Sequence, residues 1–429
     1  MSKFTKHLGV IMRSFLLNSK DIKKDSFIWN MIGSMLTAFQ SVIMLAILTR
    51  VLSLYDAGVF TIAYASANLF LNIGKYGMRN YQVSDVKKQA TFQDYLISRI
   101  LTTFLMILVS VVYVVYASAS NDYSFTKSLT IIWMCIFKVV DSIEDVFLGM
   151  YQQENRLDIG SKVLTVRMFL TILVFGSGLF ITKDLLLSLI ITTVFTILCC
   201  IYLIAITIGH FDIPKSKINK KNIAILLSKC FPLFLGAFLA FYIGNAPKYA
   251  IDSQLNDNLQ ACYGFIAMPV FVIGLLNNFI FNPIIVKMSR QWNEKDFNGF
   301  FKNFKRQLLI VLGITIICEA GAFVCGIPIL SILYNTDLSA YKNELLLLLL
   351  GGGFLALSGL LVTVTTIIRC QKHLAYGYII VSVLAFFTSP IAVKHYEIMG
   401  AALIYTVLML LLCIIFAGIF RVASKKRML

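Results

Sequence analysis

Several sets of polar and ionisable side chains stand inside apolar runs, where a buried charge costs about 2.5 to 3.5 kcal/mol on insertion scales. Lys138, Asp141 and Asp145 follow an i, i+3, i+7 spacing that places them on one helical face, with Glu144 beside them. Asn68, Asn72, Lys75 and Arg79 recur at steps of four, three and four, a polar stripe on another apolar segment. Asn245, Lys248, Tyr249 and Asp252 share a face just after Pro247, and Glu319 is the sole carboxylate of its run.

These residue types suit an anionic cargo. Lys75, Lys138 and Lys248 sample the inner, middle and outer parts of a membrane, and ammonium groups in such a ladder can replace the hydration of a diphosphate. Asn72, Asn245 and Tyr249 would meet sugars, and Arg79 would join Lys75 at the inner end. Asp141, Asp145, Asp252 and Glu319 are the candidate carriers of a coupling ion or proton. Each set also has a plainer reading. Lys138 with Asp141, and Lys248 with Asp252, sit where they can neutralise each other within a helix. Lys248 can snorkel toward a surface, and Glu319 can be a neutral, satisfied core carboxyl. Asn30, Ser34, Thr37 and Ser41 have the same stripe spacing, which helix–helix hydrogen bonding explains.

Acid–base and metal chemistry find no residues. His7, His210, His373 and His395 lie outside the apolar centres, and the nine cysteines are scattered without a CxxC pair. No cofactor or metal site is expected, and the thiols should be reduced and packed.

The elements that must hold these side chains are membrane helices. The 429 residues are 59% hydrophobic and 14% charged, with mean hydropathy +0.82, and a helix of roughly 20 apolar residues crosses a bilayer core. Apolar runs predict twelve spans at 27–53, 58–81, 95–116, 128–149, 163–181, 185–208, 223–251, 261–286, 308–334, 345–368, 376–393 and 399–422. A stretch over 8–17, interrupted by Arg13, reads as an amphipathic cytoplasmic segment. The net charge of +17 does not point to nucleic acid, because the basic residues sit in short connections between apolar runs. Lys75, Lys138, Lys229 and Lys248 are read as lying within spans. Most other basic residues flank the inner ends, and only Arg50, Lys127, Lys183, Lys342 and Lys394 fall outside, which puts both termini in the cytoplasm.

A basic connection over 210–222, carrying Lys215, Lys217, Lys220 and Lys221, separates a first lobe (1–209) from a second (223–429). The halves suggest a parallel repeat, weakly echoed by Gly58-Val59-Phe60 and Gly264-Phe265 after the first hairpin of each. All seven prolines lie in the second half; Pro232, Pro247, Pro269 and Pro283 should bend or break spans seven and eight, and Gly351-Gly352-Gly353 is a hinge candidate.

Stretches along nearly the whole chain carry a resemblance: Leu48-Thr49-Arg50-Val51-Leu52-Ser53 with Asp56-Ala57-Gly58, Asn72-Ile73-Gly74-Lys75-Tyr76-Gly77-Met78-Arg79, Asp145-Val146-Phe147, and Gly244-Asn245-Ala246-Pro247-Lys248-Tyr249. In these the chain resembles the polysaccharide-transporter family of lipid-linked oligosaccharide flippases, within the multidrug/oligosaccharidyl-lipid/polysaccharide exporter superfamily. The resemblance implies an all-α integral membrane protein with two six-helix lobes around a central cavity. It also implies an undecaprenyl-diphosphate-linked glycan as cargo, residence in a bacterial cytoplasmic membrane, and a polymerase or glycosyltransferases as pathway partners. Two rivals stand beside it. A cation-coupled multidrug exporter of the same superfamily would favour cations where this chain places lysines. A membrane polymerase needs a larger outer segment than the short predicted connections supply.

Overall fold

The computed structural model describes residues 3–85, 89–213, 219–370 and 372–428, and among them the chain is helical without a strand. A short helix, α1 (Lys3–Leu17), precedes the spans. The first six spans are α2 (Ile22–Leu48), α3 (Leu54–Lys75) with a short continuation α4 (Met78–Ser84), α5 (Phe92–Ser120), α6 (Phe125–Gln153), α7 (Leu157–Thr182) and α8 (Leu185–Ile208). In the second half α9 (Lys220–Gln254) is followed by the pair α10 (Asp257–Ala267) and α11 (Val270–Asn293). Next come α12 (Phe297–Gly321) and α13 (Ile327–Tyr334), joined by a π-helical turn at Ala322–Gly326, then α14 (Lys342–Ile367) and α15 (Lys372–Met428).

Among the described residues nine helices are long and apolar enough to cross a membrane. The difference from twelve has physical causes. Helix α6 falls short because it carries Lys138, Asp141, Glu144 and Asp145, and α15 contains both final spans, interrupted at Glu397 by non-helical torsions (φ 49°, ψ −130°); the eighth span runs over α10 and α11, and the side chains of 275–283 lie outside the described residues. All predicted spans therefore correspond to helical segments.

Side-chain caps set the starts of these helices. Ser53 with Asp56 and Thr91 with Asp94 form reciprocal capping boxes on α3 and α5, while Asp21, Ser124 and Asp184 cap α2, α6 and α8. Each such cap contributes about 1 kcal/mol, and it satisfies backbone donors that hydrocarbon cannot.

The chain divides into two compact units, Met1–Ala237 and Phe238–Leu429. The division falls within α9 rather than in the basic connection. The first half of α9 belongs to the first unit because Leu226 and Cys230 are buried in that unit's core and Phe234 stacks on Tyr76 with ring centroids 4.7 Å apart. Helix α9 runs unbroken through Pro232 and Pro247, whereas the eighth span does break, at Met268–Pro269. One missing N–H costs a long helix a single ladder bond, which leaves the others in place. Lys215, Lys217 and the side chain of Pro283 lie outside the described residues.

In the first unit α3 is the central helix, packed against α5 and α6, while α2 lies along α7 and α8 packs on α6 and α7. Apolar side chains such as Phe104, Leu108 and Val112 of α5 point outward, the arrangement of a bundle solvated by lipid. Polar side chains turn inward, and α6 buries its entire charged face.

Gly351, Gly352 and Gly353 are close-packing positions within a continuous α14. A methyl at each would meet Tyr405, Val270 or Thr315. Gly74 plays the same part in the first unit: a Cβ there would lie 2.6 Å from Ser142 Oγ and 2.9 Å from Met106 Sδ. Its carbonyl oxygen also accepts hydrogen bonds from Arg99 Nη1 and Thr102 Oγ1, both at 2.8 Å. Gly74→Ala should thus destabilise the protein by about 1 to 3 kcal/mol through overpacking. A thermal unfolding series in detergent checks it, with Gly236→Ala, which meets nothing within 4 Å, as the control.

Candidate anion site and its buried charge network

Helix α3 ends where the chain needs left-handed backbone at two successive residues, Tyr76 (φ 50°) and Gly77 (φ 62°). Glycine is required at the second for a further reason, since a Cβ there would stand 2.7 Å from Leu233 Cβ of α9. This corner starts α4 in a new direction and brings Arg79 back toward α6. A cavity of about 500 Å³ opens at the corner, lined by Asn72 and Lys75 of α3, Arg79 and Asn80 of α4, and Asp145 and Gln152 of α6.

The cavity wall is backed by a network of buried ion pairs. Asp145 is held by the fully buried Arg99, Nη2 to Oδ2 at 2.8 Å, and more loosely by Arg79, Nη1 to Oδ1 at 3.7 Å. Arg79 also donates to Gln152 Oε1 at 3.3 Å. One turn deeper, Arg167 of α7 reaches Asp141 at 2.8 Å and Glu144 at 2.6 Å through Nη2, with Nε donating to Glu144 Oε1 at 2.8 Å. Lys138 closes the network, donating to Asp141 Oδ2 at 2.9 Å, Gln40 Oε1 at 3.0 Å and Tyr64 OH at 3.3 Å, with its ammonium 4.6 Å from the Tyr64 ring. Buried pairs of this kind survive where every partner is hydrogen-bonded.

The balance of charge in this region is positive. Lys75, Arg79, Arg99, Lys138 and Arg167 face only three carboxylates, Asp141, Glu144 and Asp145. Lys75 is half-buried at the cavity and makes no hydrogen bond or close ion pair among the described residues. Asn72 donates its amide to Asn68 O at 2.9 Å, which leaves the side-chain oxygen as an acceptor toward the cavity. A desolvated wall with surplus cation is chemically suited to a polyanion.

The structure thus brings together Asn72, Lys75, Arg79 and Asp145, and it keeps Lys138 away from them. Lys138 is 2% exposed and fully engaged. Its i, i+3 pairing with Asp141, the plainer of the two readings, is the one observed. Asp141 is likewise consumed by two cations. Arg99 and Arg167 are the residues that sequence reading missed. Both stand about a turn inside an apolar run at its inner end, where a basic residue reads as a flank, and only the side chains of α6 reveal their partners.

The remaining candidates lie on the second unit. Asn245 donates to Phe241 O at 3.0 Å, and the Tyr249 ring lies parallel to Tyr242 with centroids 6.0 Å apart. Lys248 is half-buried, and Asp252, one turn on, is buried. Glu319 lines a different cavity, of about 580 Å³, with Asn343, Leu346, Leu350 and Met399. Among the described residues no group of His, Cys, Asp and Glu is arranged to hold a metal ion.

Comparison with known proteins places this architecture. The Staphylococcus aureus capsular polysaccharide biosynthesis protein CapF is 23% identical over 394 residues, covering 89% of this chain and 95% of CapF. The lipid II flippase MurJ in an inward closed conformation superposes with a TM-score of 0.67 at 14% identity, over 92% of this chain and 90% of MurJ. The Vibrio cholerae MATE transporter VcmN gives 0.61 at 13% identity, over 97% and 98% of the two chains. The fold is that of all-helical, multi-pass membrane transporters. A family model for polysaccharide biosynthesis proteins matches residues 24–289, more than half of the chain, and this protein belongs to that family.

Proposed function

We propose that the protein is a flippase that moves an undecaprenyl-diphosphate-linked oligosaccharide from the inner to the outer leaflet of a bacterial cytoplasmic membrane, with both termini in the cytoplasm. The observation that carries the proposal is the cavity at the α3–α4 corner, where Lys75 makes no close ion pair among the described residues and Arg79 holds Asp145 only at 3.7 Å, that carboxylate's close partner being Arg99 at 2.8 Å. A diphosphate brings several negative oxygens to that wall, and Asn72, Asn80 and Gln152 offer amides at the same place. Lys138, Arg99 and Arg167 act at one remove, by holding Asp141, Glu144 and Asp145 so that the excess positive charge faces the cavity.

Lys248, Asn245 and Tyr249 serve a later stage of the same passage, on the second lobe. The cycle is alternating access. Of the four candidate coupling carboxylates, Asp141 and Asp145 are neutralised by neighbours, Asp252 is buried on α9, and Glu319 lines a cavity without an ion pair among the described residues. Glu319 is the group to which we assign proton coupling. A polymerase or glycosyltransferases of the same pathway would act on the cargo on either side of this step.

The test is purified protein in sealed liposomes, following movement of an undecaprenyl-diphosphate oligosaccharide with and without an imposed pH gradient. The wild type should translocate it, Arg79→Gln should slow it about tenfold or more through the loss of a charge-assisted contact, and Glu319→Gln should remove the response to the gradient. Uptake of small organic cations without movement of the lipid-linked sugar would instead establish the exporter reading.

A further inference from the structure

Helix α1 precedes the first span, and its attachment is more elaborate than a mobile leader needs. Its C-terminal carbonyls are capped by two cations of α7 and the turn before it: Arg156 Nη2 donates to Leu17 O at 2.7 Å and Lys162 Nζ to Asn18 O at 3.1 Å. Ser19 just beyond is pinned by Asp158 at 2.6 Å and Lys162 at 2.9 Å. Leu16 is completely buried, Met12 packs on the same core, and the Phe15 ring meets Trp29 edge-on with centroids 5.3 Å apart. One arc of α1 is therefore fixed against α7 and α8.

The adjoining arc is apolar and uncovered. Ile11 is 54% exposed and Phe15 37% exposed, and through Phe15 and Trp29 this flank runs on to Phe27 and Met31 at the start of α2, which are 71% and 38% exposed. Those α2 side chains belong to the lipid-facing side of a span, so the surface over α1 continues the hydrocarbon-facing surface at its edge. Arg13 is exposed on the opposite arc, with Val10, 67% exposed, between it and the apolar flank. Lys20, Lys23 and Lys24 follow, while the one acidic residue between positions 3 and 24, Asp21, is occupied in capping α2.

We propose that α1 is an anionic-lipid binding helix, held by its clamp in the plane of the membrane interface with Ile11 and Phe15 in the acyl boundary and the exposed Arg13, Lys20, Lys23 and Lys24 on acidic headgroups. The apolar flank supplies insertion, and the cations supply selectivity for negative lipid. The clamp transmits the attachment to α7 through Arg156 and Lys162, so the lipid composition of one leaflet bears directly on the first unit.

The experiment uses the full-length protein in nanodiscs of phosphatidylcholine alone or with phosphatidylglycerol added, and reads amide hydrogen exchange over residues 3–17. Exchange of the wild type should slow about tenfold in the anionic discs. Arg13→Gln should reduce that difference and high salt should abolish it, since both act on the exposed charges. Ile11→Ser should speed exchange in both kinds of disc; it alters an exposed side chain and leaves the Arg156–Lys162 clamp intact. Equal exchange of the wild type in neutral and anionic discs would overturn the proposal, as would rapid exchange in both. Because the readout is amide exchange and not transport, it stands apart from the flippase reading.

Discussion

Arg167→Met should unfold the first unit or reduce it to a form that does not survive extraction. Arg167 is 1% exposed and bonds to both Asp141 and Glu144, so its removal leaves two carboxylates in a low-dielectric interior with only Lys138 to answer them. Breaking a buried pair from one side costs about 3 to 5 kcal/mol, a large part of a protein's stability. The diagnostic comparison is the triple variant Arg167→Met/Asp141→Asn/Glu144→Gln, which removes the charges together. Most of the stability should return, because an uncharged set of similar volume avoids the desolvation penalty. Fluorescence-detected size exclusion after a heat ramp separates the outcomes. If the single variant were as stable as the wild type, the network would not be holding α6 to α7.

The second large effect is on transport. Lys75→Gln should leave the melting temperature nearly unchanged, since Lys75 is half-buried and makes no close ion pair among the described residues, while lowering flux of the lipid-linked substrate by about tenfold to a hundredfold, the range of a lost charge-assisted hydrogen bond. Lys75→Arg should recover part of the activity, because guanidinium also pairs with phosphate though with a different reach. Lys138→Ala is the contrasting case. Its loss of flux should come with a loss of stability, because Asp141, Gln40 and Tyr64 lose their common donor. Measuring flux and melting temperature on the same preparations distinguishes a residue that meets cargo from one that holds the wall.

The contrast between Lys75 and Lys138 shows where sequence reading stops. Both are lysines in apolar runs with polar neighbours at helical spacing. Their difference depends on what stands opposite. Lys138 has Gln40 of α2 and Tyr64 of α3 within hydrogen-bonding distance, residues distant in sequence. Lys75 stands at the end of α3, where the left-handed corner at Tyr76 and Gly77 opens the cavity. Asp145 was legible as a charged residue on the α6 face, but its partner Arg99 was not, because a lone arginine near the end of a span is usually a snorkelling flank.

The sequence by itself determined the solvent, the secondary structure and the approximate ends of the helices. Its apolar runs match a bilayer in length, and caps such as Ser53 with Asp56 are local chemistry within four residues. It also determined that α6 must bury charge, since four ionisable residues on one span have nowhere else to go. Tertiary structure alone decided which of those charges cancel. It also turned three glycines of α14 from a hinge candidate into packing contacts, and it assigned the first half of α9 to the first unit. The physical reason is common to all three. Hydrophobic length and helix capping are read within a single segment, whereas ion pairing, close approach and shared burial depend on which segments meet, and periodicity within one helix carries no record of its neighbours.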